Sequence, residues 1–574
     1  MLKDELKKIA VKTEESEFYT PIPEGYKKGR TKFVVVAGTV MSGLGKGIFS
    51  SSLAKLLQNQ GLKCVPIKME GYLNIDSGTL NPYRHGEVFV LDDGTECDMD
   101  LGTYERMLDQ NLTKDSFITN GQIFSKIFEQ ERKGEYLGRD VQFIPHVTGE
   151  IKKHLRELAL RSKADVVLIE VGGTVGDIEN SHYIEALRQL AYEEGENSTC
   201  FVALTYVLQP QFLGEQKSKA AQLGIKLLLE KGVQPHIIAC RCESPVTEKT
   251  KEKISIYTNV PVKRVVSMHD VESIYLIPHM LSQEKIDQEI IKLLQLGKRV
   301  KPDGVRKKEW VNFIKNTKKS KNNPGKIVIG IAGKYTGLRD SYASIIKALE
   351  HSGTEIGSDI VIKWIETTKI EDDKKSLKEE MKDIHGLIVP GGFGKRGTEG
   401  KILCVQYARE NKIPYLGLCL GFQMALIEFA RNVCGLKNAN TTEVESNCRH
   451  PVIAILPSQE KIDKLGGSMR LGGRDIIVKK DSLAYTLYGN KTKIRERFRH
   501  RYECNPEYIN RLEQKGMVFS GRAPEEEIMQ ILELPNHPYF IASQFHPEFT
   551  SRPGKPNPLF LGLVKSAKNY KRTI

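Results

Sequence analysis

No stretch of the 574 residues approaches the roughly 18 consecutive apolar residues a membrane span requires, so no bilayer-crossing helix is expected. The N-terminal MLKDELKKIAVKTEESE alternates charge and lacks the apolar core of a secretory signal, which points to the cytoplasm. The ten cysteines form no CxxC pair and no zinc spacing, so nearly all read as reduced structural thiols. Aromatic and basic residues do not interleave as they do in single-strand binders. The net charge of +14 therefore reads as suited to an enzyme holding several polyphosphates, with no nucleic-acid partner and no membrane partner expected. There is no internal repeat. The chain has 40% hydrophobic and 28% charged residues, which excludes a disordered or fibrous protein.

Single cores stop growing at roughly 250–300 residues, so two to four domains are expected. KFVVVAG (32–38) is a strand-type run, followed by a glycine-rich loop, then FSSSLAKLLQNQG with helical spacing and Gly61 as its stop. KCVPIK, ADVVLIE, CFVALTYV and HIIACR supply further buried strands with helical patterns between them, the alternation of a parallel sheet covered on both faces. Residues 1–30 are polar, with a short helix expected at 2–11, and read as an N-terminal extension; 31–296 form the first domain. Residues 297–326 turn basic and lose periodicity, which marks a linker. IVIGIAG, IVIKWI, GLIVPGG and IPYLGLC then restore the alternation, so 327–574 read as a second α/β domain.

In the second domain, YLGLCLGFQ places Cys419 on a tight turn between a strand and an apolar helix. Such a turn exposes its side chain at the carboxyl end of the sheet, and the helix N-terminus favours a thiolate and offers N–H groups to an oxyanion. QFHPEF supplies a base. The proline disfavours helix, and in an extended segment His546 and Glu548 share a face, so the carboxylate can orient the imidazole that takes the thiol proton. Singly, Cys419 reads as a core cysteine and His546 as a surface histidine; together with the glycine-rich turn GLIVPGGFGKRG they read as a nucleophile with its base.

In the first domain, AGTVMSGLGKG follows a strand and opens a helix, the place where backbone amides cradle phosphates, although it lacks the spacing of G-x-x-x-x-G-K-[ST]. Lys46 would sit on the β/γ-phosphates and Lys68 would add a second positive charge at the transferred group. Glu170, ending ADVVLIE, and Asp100, in ECDMDLGTYER, are candidate magnesium carboxylates.

The G-x-C-x-G elbow, the later H-P-E and the PGG strand resemble class I glutamine amidotransferases. SGLGKG, HGEVFVLDDGTECDMDLGTYER, EVGGTVGDIE and RHRYECN, in this order, closely resemble the CTP synthase family over residues 31 to 570. The resemblance implies two doubly wound α/β domains, a P-loop-like (dethiobiotin-synthetase-like) synthetase and a flavodoxin-like amidotransferase. It implies ATP-dependent amination of UTP to CTP, by ammonia released from glutamine at a Cys419–His546–Glu548 triad and channelled to a 4-phosphorylated UTP. By motif, Gly43, Leu44, Gly45, Lys46, Gly47 and Ile48 would hold ATP with Asp100, and Asp100 and Glu170 would hold Mg2+. Ser42, Asp177, Ile178, Glu179, Lys217, Ser218, Lys219, Ala220, Ala221, Gln222 and Lys253 would contact UTP or CTP. Gly392, Leu420, Gly421, Phe422, Gln423, Glu443 and Arg501 would contact glutamine. Phe393 and Arg396 would belong to the lid linked with activation by GTP, and His85 and Val88 would lie near the ammonia passage. A homotetramer able to form filaments is implied as well.

The sequence also departs from the family. Gly38-Thr39 replaces a Gly-Gly, Glu70-Gly71, Ser77 and Arg84 stand where the family has Asp-Pro, Pro and Gln, and KSKAAQ (217–222) stands for KTKPTQ. These changes leave open a paralogue aminating a related pyrimidine nucleotide by the same mechanism; the family's filaments and the basic linker leave a scaffold role as an alternative of another class.

Overall fold

The computed structural model describes residues 21–210, 212, 214–334, 337–373, 376–455 and 469–573; the helix expected at 2–11 lies outside them. The chain divides into two compact units, Met1–Asp76 with Thr103–Lys308, and Ser77–Gly102 with Glu309–Ile574.

The first unit is built on seven strands: β1 (Lys32–Gly38), β2 (Cys64–Glu70), β3 (Phe117–Thr119), β4 (Val166–Val171), β5 (Thr199–Tyr206), β6 (Ile237–Cys242) and β7 (Val265–His269). Their order is β3-β2-β4-β1-β5-β6-β7, and every pairing is parallel. β1 shows why its residues must be continuously apolar. Phe33 and Val35 enter one buried cluster, Val34 and Val36 the other, so the two sheet faces are both core. One face is covered by helices that include α1 (Lys46–Asn59), the other by helices that include α2 (Lys219–Glu230) and α3 (Glu248–Thr258).

The expected linker is not without periodicity. Most of it forms α4 (Gly304–Lys321), in which Trp310, Phe313, Ile314 and Thr317 are buried along one face. The stripe escapes a hydrophobicity reading because Thr317 and Ser320 complete it and lysines fill the rest of the surface.

The second unit continues with β8 (Ile327–Gly333), β9 (Ile360–Glu366), β10 (Gly386–Val389), β11 (Tyr415–Leu418), β12 (Arg470–Val478), β13 (Lys493–His500), β14 (Val518–Arg522), β15 (Met529–Glu533) and β16 (Phe540–Ser543). The sheet order is β9-β8-β10-β11-β16-β15-β14-β12-β13. The first five are parallel and the rest antiparallel. Helices α5 (Ala343–Ile356), α6 (Thr398–Glu410), α7 (Leu420–Asn432) and α8 (Pro558–Tyr570) cover it: α6 and α7 on one face, α5 and α8 on the other. Both sheets are thus doubly wound. Residues 77–102, inside the first domain by sequence order, fold with this second unit. Their hairpin Val88–Val90/Glu96–Asp98 is tied to β13 by Arg497 Nη1 donating to the Val90 carbonyl at 3.0 Å and by Arg499 Nε donating to Glu96 Oε1 at 2.7 Å.

Candidate functional site

In the first unit, the loop after β1 turns on left-handed residues, with Gly43 at φ 74° and Gly45 at φ 79° directly before α1. Lys46 opens α1 and folds back to donate from Nζ to the Gly173 carbonyl at 2.6 Å, joining this loop to the glycine turn that follows β4. Thr39, in place of the second glycine, is wholly buried and donates its hydroxyl to the Leu204 carbonyl, so the departure is absorbed without a left-handed backbone. Ser42 and Gly43 are exposed, Leu44 and Gly47 buried, Gly45 and Ile48 half-buried.

At the carboxyl ends of β2 and β4, Lys68 Nζ donates to Glu170 Oε1 at 2.7 Å, both groups being buried. Tyr104 donates its hydroxyl to the other oxygen, Glu170 Oε2, a partner the sequence reading missed. Glu170 is a hard oxygen donor of the kind magnesium takes, one or two carboxylates with phosphates completing the shell. Among the described residues no group of three His, Cys, Asp or Glu could hold a metal without such phosphates. Asp100 sits in the first turn of the helix Met99–Leu108, with its backbone N–H on Asp98 Oδ1 at 2.8 Å.

Asp177, ahead of the short turn Ile178–Asn180, accepts from the Thr174 amide and hydroxyl, while Ile178 is 86% exposed and Glu179 exposed. Lys217 pairs with Glu215, and Ser218 and Lys219 start α2. Gln222 donates to Ser218 Oγ at 3.1 Å, Ala220 is half-buried, and Ala221 has its side chain wholly within the core. A core position tolerates Ala for Thr, so this part of the KSKAAQ departure does not change a ligand-facing side chain. Lys253 is exposed on α3.

In the second unit, β11 runs into a turn at Cys419 (φ 51°), a left-handed backbone at a non-glycine residue, and α7 begins at once with Leu420. The turn is fixed by the Cys419 amide donating to the Ser543 carbonyl at 2.7 Å and by the Tyr415 hydroxyl donating to the Gly421 carbonyl at 2.8 Å. Gly421 is obligatory, since a Cβ there would lie 2.0 Å from the Val389 carbonyl oxygen. The expectation of an exposed cysteine is corrected: Cys419 is buried, because its thiol donates to the Arg499 carbonyl at 3.7 Å and the Gln544 carboxamide donates to the sulfur at 3.6 Å.

His546 and Glu548 do meet, Nδ1 to Oε1 at 2.8 Å, but not through an extended chain. Pro547–Phe549 is a turn of 3-10 helix, and that turn brings the carboxylate back onto the ring. His546 is buried as well, which removes the surface reading it has when taken alone. Burial alone would push its imidazole down; the Glu548 carboxylate and then the Cys419 sulfur outweigh that and raise it to about 10. Hydrogen bonding between the Cys419 sulfur and the His546 ring is among the causes of that rise. The ring and the nucleophile face one another across Gly391, where a Cβ would stand 3.0 Å from His546 Cε1 and 3.6 Å from Cys419 Cβ.

A cavity of 500 Å³ opens beside this group, lined by Pro390, Gly391, Gly392, Phe393, Glu443, Arg501, Tyr502, His546, Glu548 and, from the inserted segment, Val88. Glu443 accepts from the Gly394 amide at 2.7 Å, and burial raises its carboxyl. Leu420, Phe422 and Gln423 are buried in α7, leaving backbone N–H groups at its start as what Leu420 and Gly421 can offer. Arg396 donates to the Lys334 carbonyl, and His85 is exposed. The arrangement is a thiol, an imidazole and a carboxylate beside a glycine turn and a helix N-terminus, the parts needed for acyl transfer from an amide.

Two family models match: CTP synthase N-terminus over residues 32–296 and glutamine amidotransferase class-I over residues 338–566. The CTP synthase of Pyrococcus abyssi is 50% identical over 543 residues, covering 94% of this chain and 99% of the relative. That of Archaeoglobus fulgidus is 47% identical over 541 residues with the same coverage. The chain belongs to the CTP synthase family. Among solved structures, the glutaminase domain of Trypanosoma brucei CTPS with bound acivicin matches at 33% identity, covering 42% of this chain and 94% of that one, with a TM-score of 0.39. The family's two parts correspond to the two doubly wound sheets described above. Besides Tyr104, the sequence reading of this family member missed Gln544 and Lys334, single polar residues whose partners are distant in the chain, and Lys401, a lone lysine within an otherwise ordinary helix.

Proposed function

We infer that the chain is a glutamine-hydrolysing ligase that aminates UTP to CTP at the expense of ATP, with glutamine as the nitrogen source. What carries this reading is the buried His546–Glu548 pair set across Gly391 from Cys419, in a chain whose other sheet presents a glycine loop with Lys46 on the Gly173 carbonyl and Lys68 paired with Glu170. In the second unit His546 takes the Cys419 proton, Glu548 holds the resulting imidazolium, and the thiolate attacks the glutamine amide. The tetrahedral oxyanion meets the Gly392 and Leu420 N–H groups, while Glu443 and Arg501 bind the amino-acid end of glutamine. The C–N bond breaks as imidazolium returns its proton to the departing ammonia, and water deprotonated by His546 then hydrolyses the glutamyl thioester to glutamate, restoring the Cys419 thiol.

In the first unit Gly43 to Ile48 cradle ATP phosphates and Lys46 neutralises the transferred group; Ser42, Asp177 to Glu179, Lys217 to Ala220, Gln222 and Lys253 recognise the pyrimidine nucleotide, the core residue Ala221 serving only to hold that segment. A carbonyl oxygen is a poor leaving group and a phosphate a good one, so phosphorylating the uracil 4-oxygen lets ammonia displace it. Glu170 would hold Mg2+, which when bound supplies charge neutralisation of the phosphates; Asp100, which folds with the second unit, is proposed as a further carboxylate by its motif alone. Lys68 sits on Glu170 and balances its charge. We assign Val88 and His85 to the ammonia's exit, Phe393 and Arg396 to a lid sensitive to GTP, and the chain to a cytoplasmic homotetramer. No helix among the described residues is long and apolar enough to cross a membrane. The domain division is proposed as 31–296 for the synthetase and 327–574 for the amidotransferase, with residues 77–102 and 309–326 folding with the second unit.

The test is Cys419→Ala, assayed for CTP from UTP and ATP. Glutamine-dependent synthesis should fall by about 10³-fold or more, with ammonia-dependent synthesis retained. Loss of both, or of neither, sinks the reading, and a parallel screen of uridine nucleotides tells UTP from a related pyrimidine.

A further inference from the structure

The turn that carries Gly391 and Gly392 is gripped from behind by two buried lysines. Lys401, on α6 and 1% exposed, donates from Nζ to the Pro390 carbonyl at 3.2 Å. Lys334, at the end of β8, donates to the Phe393 carbonyl. The two bonds fall on the carbonyls immediately flanking the glycine pair. A Cβ at Gly392 would stand 3.6 Å from both Lys401 Nζ and Leu420 Cδ2, and 3.8 Å from Lys334 Cε, so the cations lie against the backbone that faces the nucleophile.

A lysine buried this fully is costly unless paired, and among the described residues no carboxylate hydrogen-bonds Lys401. Its one hydrogen-bond acceptor among the described residues is Pro390. Burial and then the charge of Lys334 pull its ammonium down to about 7, with the Cys419 and Cys404 thiols and the Glu443 carboxylate acting the other way. A cation kept in so unfavourable a place, with its hydrogen bond spent on the glycine turn, points to a role there.

We propose that Lys401 is a positioning residue for glutamine hydrolysis: through its bond to the Pro390 carbonyl it holds the Pro390–Gly392 backbone in the orientation that presents the Gly392 N–H to the oxyanion formed at Cys419, with Lys334 as the second anchor on Phe393. The inference rests on the amidotransferase reading of this site. It predicts a defect mainly in turnover, because the hydrogen bond of Lys401 goes to the Pro390 carbonyl, whereas Glu443, at the amino-acid end of glutamine, feels Lys401 only through its charge.

The experiment compares full-length wild type with Lys401→Met and Lys401→Gln, measuring kcat and KM for glutamine hydrolysis and, separately, synthesis from free ammonia. Lys401→Met should lower kcat by about 10- to 100-fold, less than the loss of an oxyanion donor itself, while KM changes by less than about threefold and ammonia-dependent synthesis stays. Lys401→Gln, which keeps a donor for Pro390, should recover most of the loss. A kcat within about twofold of wild type in the Met variant overturns the proposal, as does a loss shared equally by the ammonia reaction, or a Gln variant no better than Met. Should the Met variant melt before assay, the Gln variant decides alone: near-wild-type kcat supports the proposal and a large loss overturns it. If the wild type itself hydrolyses no glutamine, the amidotransferase reading has failed, an outcome distinct from failure of the Lys401 role.

Discussion

Glu496 shows how one residue seats the catalytic turn. It lies buried on β13, where its carboxyl meets the hydroxyls of Tyr488 at 2.8 Å and Thr550 at 2.6 Å and the Asn557 amide at 2.8 Å. Thr550 follows the His546–Glu548 turn and also donates to the Pro547 carbonyl, so Glu496 anchors the base from beneath. Burial dominates and raises its carboxyl to about 7, against the pull of Thr550, Tyr488 and Asn557. A glutamate titrates near 4.3 in the unfolded chain, so between about 4.3 and 7 the native state binds the extra proton. The stability due to that proton is full below about pH 4 and is lost as pH rises through about 7. Glu496→Gln mimics the neutral acid and lacks this slope. Denaturant unfolding at pH 5 and pH 8 should therefore show the variant gaining on wild type by roughly 1–3 kcal/mol at the higher pH. An unchanged gap between the two pH values would mean that Glu496 stays ionised throughout.

Among the elements, α4 makes the sharpest case. Trp310 and Phe313 pack ring to ring at 5.8 Å, Phe313 reaches His351 of α5 at 6.4 Å, and the Thr317 hydroxyl donates to the Phe313 carbonyl. Phe313→Ala removes a buried ring from a helix with few other apolar groups, and we expect a loss of about 3 kcal/mol, read as a lowered Tm or denaturant midpoint. A flexible linker would show no change. The central strands were legible because a strand buried on both faces must be apolar at every position, as Phe33 to Val36 are. α4 was not, because polar Thr317 and Ser320 take core positions there. The Cys419 elbow was legible from two glycines and a following apolar helix, and the 3-10 turn that joins His546 to Glu548 was hidden because Pro547 permits both that turn and an extended chain. The allegiance of residues 77–102 to the second unit was hidden too. It depends on ion pairs such as Asp92 with Arg495, partners 403 residues apart that no local pattern connects.

At the scale of the whole molecule, the two sheets follow one rule: each sets its reactive groups where parallel strands end, β1, β2 and β4 in the first unit and β8, β10 and β11 in the second. One rule used twice gives two chemistries because the loops differ, a phosphate-type glycine loop in one and a cysteine elbow in the other. The division predicts that each chemistry can be removed by itself. Lys46 offers the cleanest cut on the synthetase side: its ammonium contacts the Gly173 carbonyl, a partner within its own unit, and its loss removes charge from the phosphate loop without emptying an apolar core. Lys46→Ala should lower CTP formation by about 10²-fold or more with either nitrogen source, since phosphorylation precedes amination whichever source supplies the ammonia. Glutamine hydrolysis measured as glutamate release should persist at a substantial fraction of the wild-type rate, because Cys419, His546 and Glu548 are untouched. Parallel collapse of hydrolysis would mean that the thiol site is assembled only when the phosphate loop is intact; unaltered CTP formation would remove Lys46 from the phosphoryl step and leave Lys68 as the cation to test there.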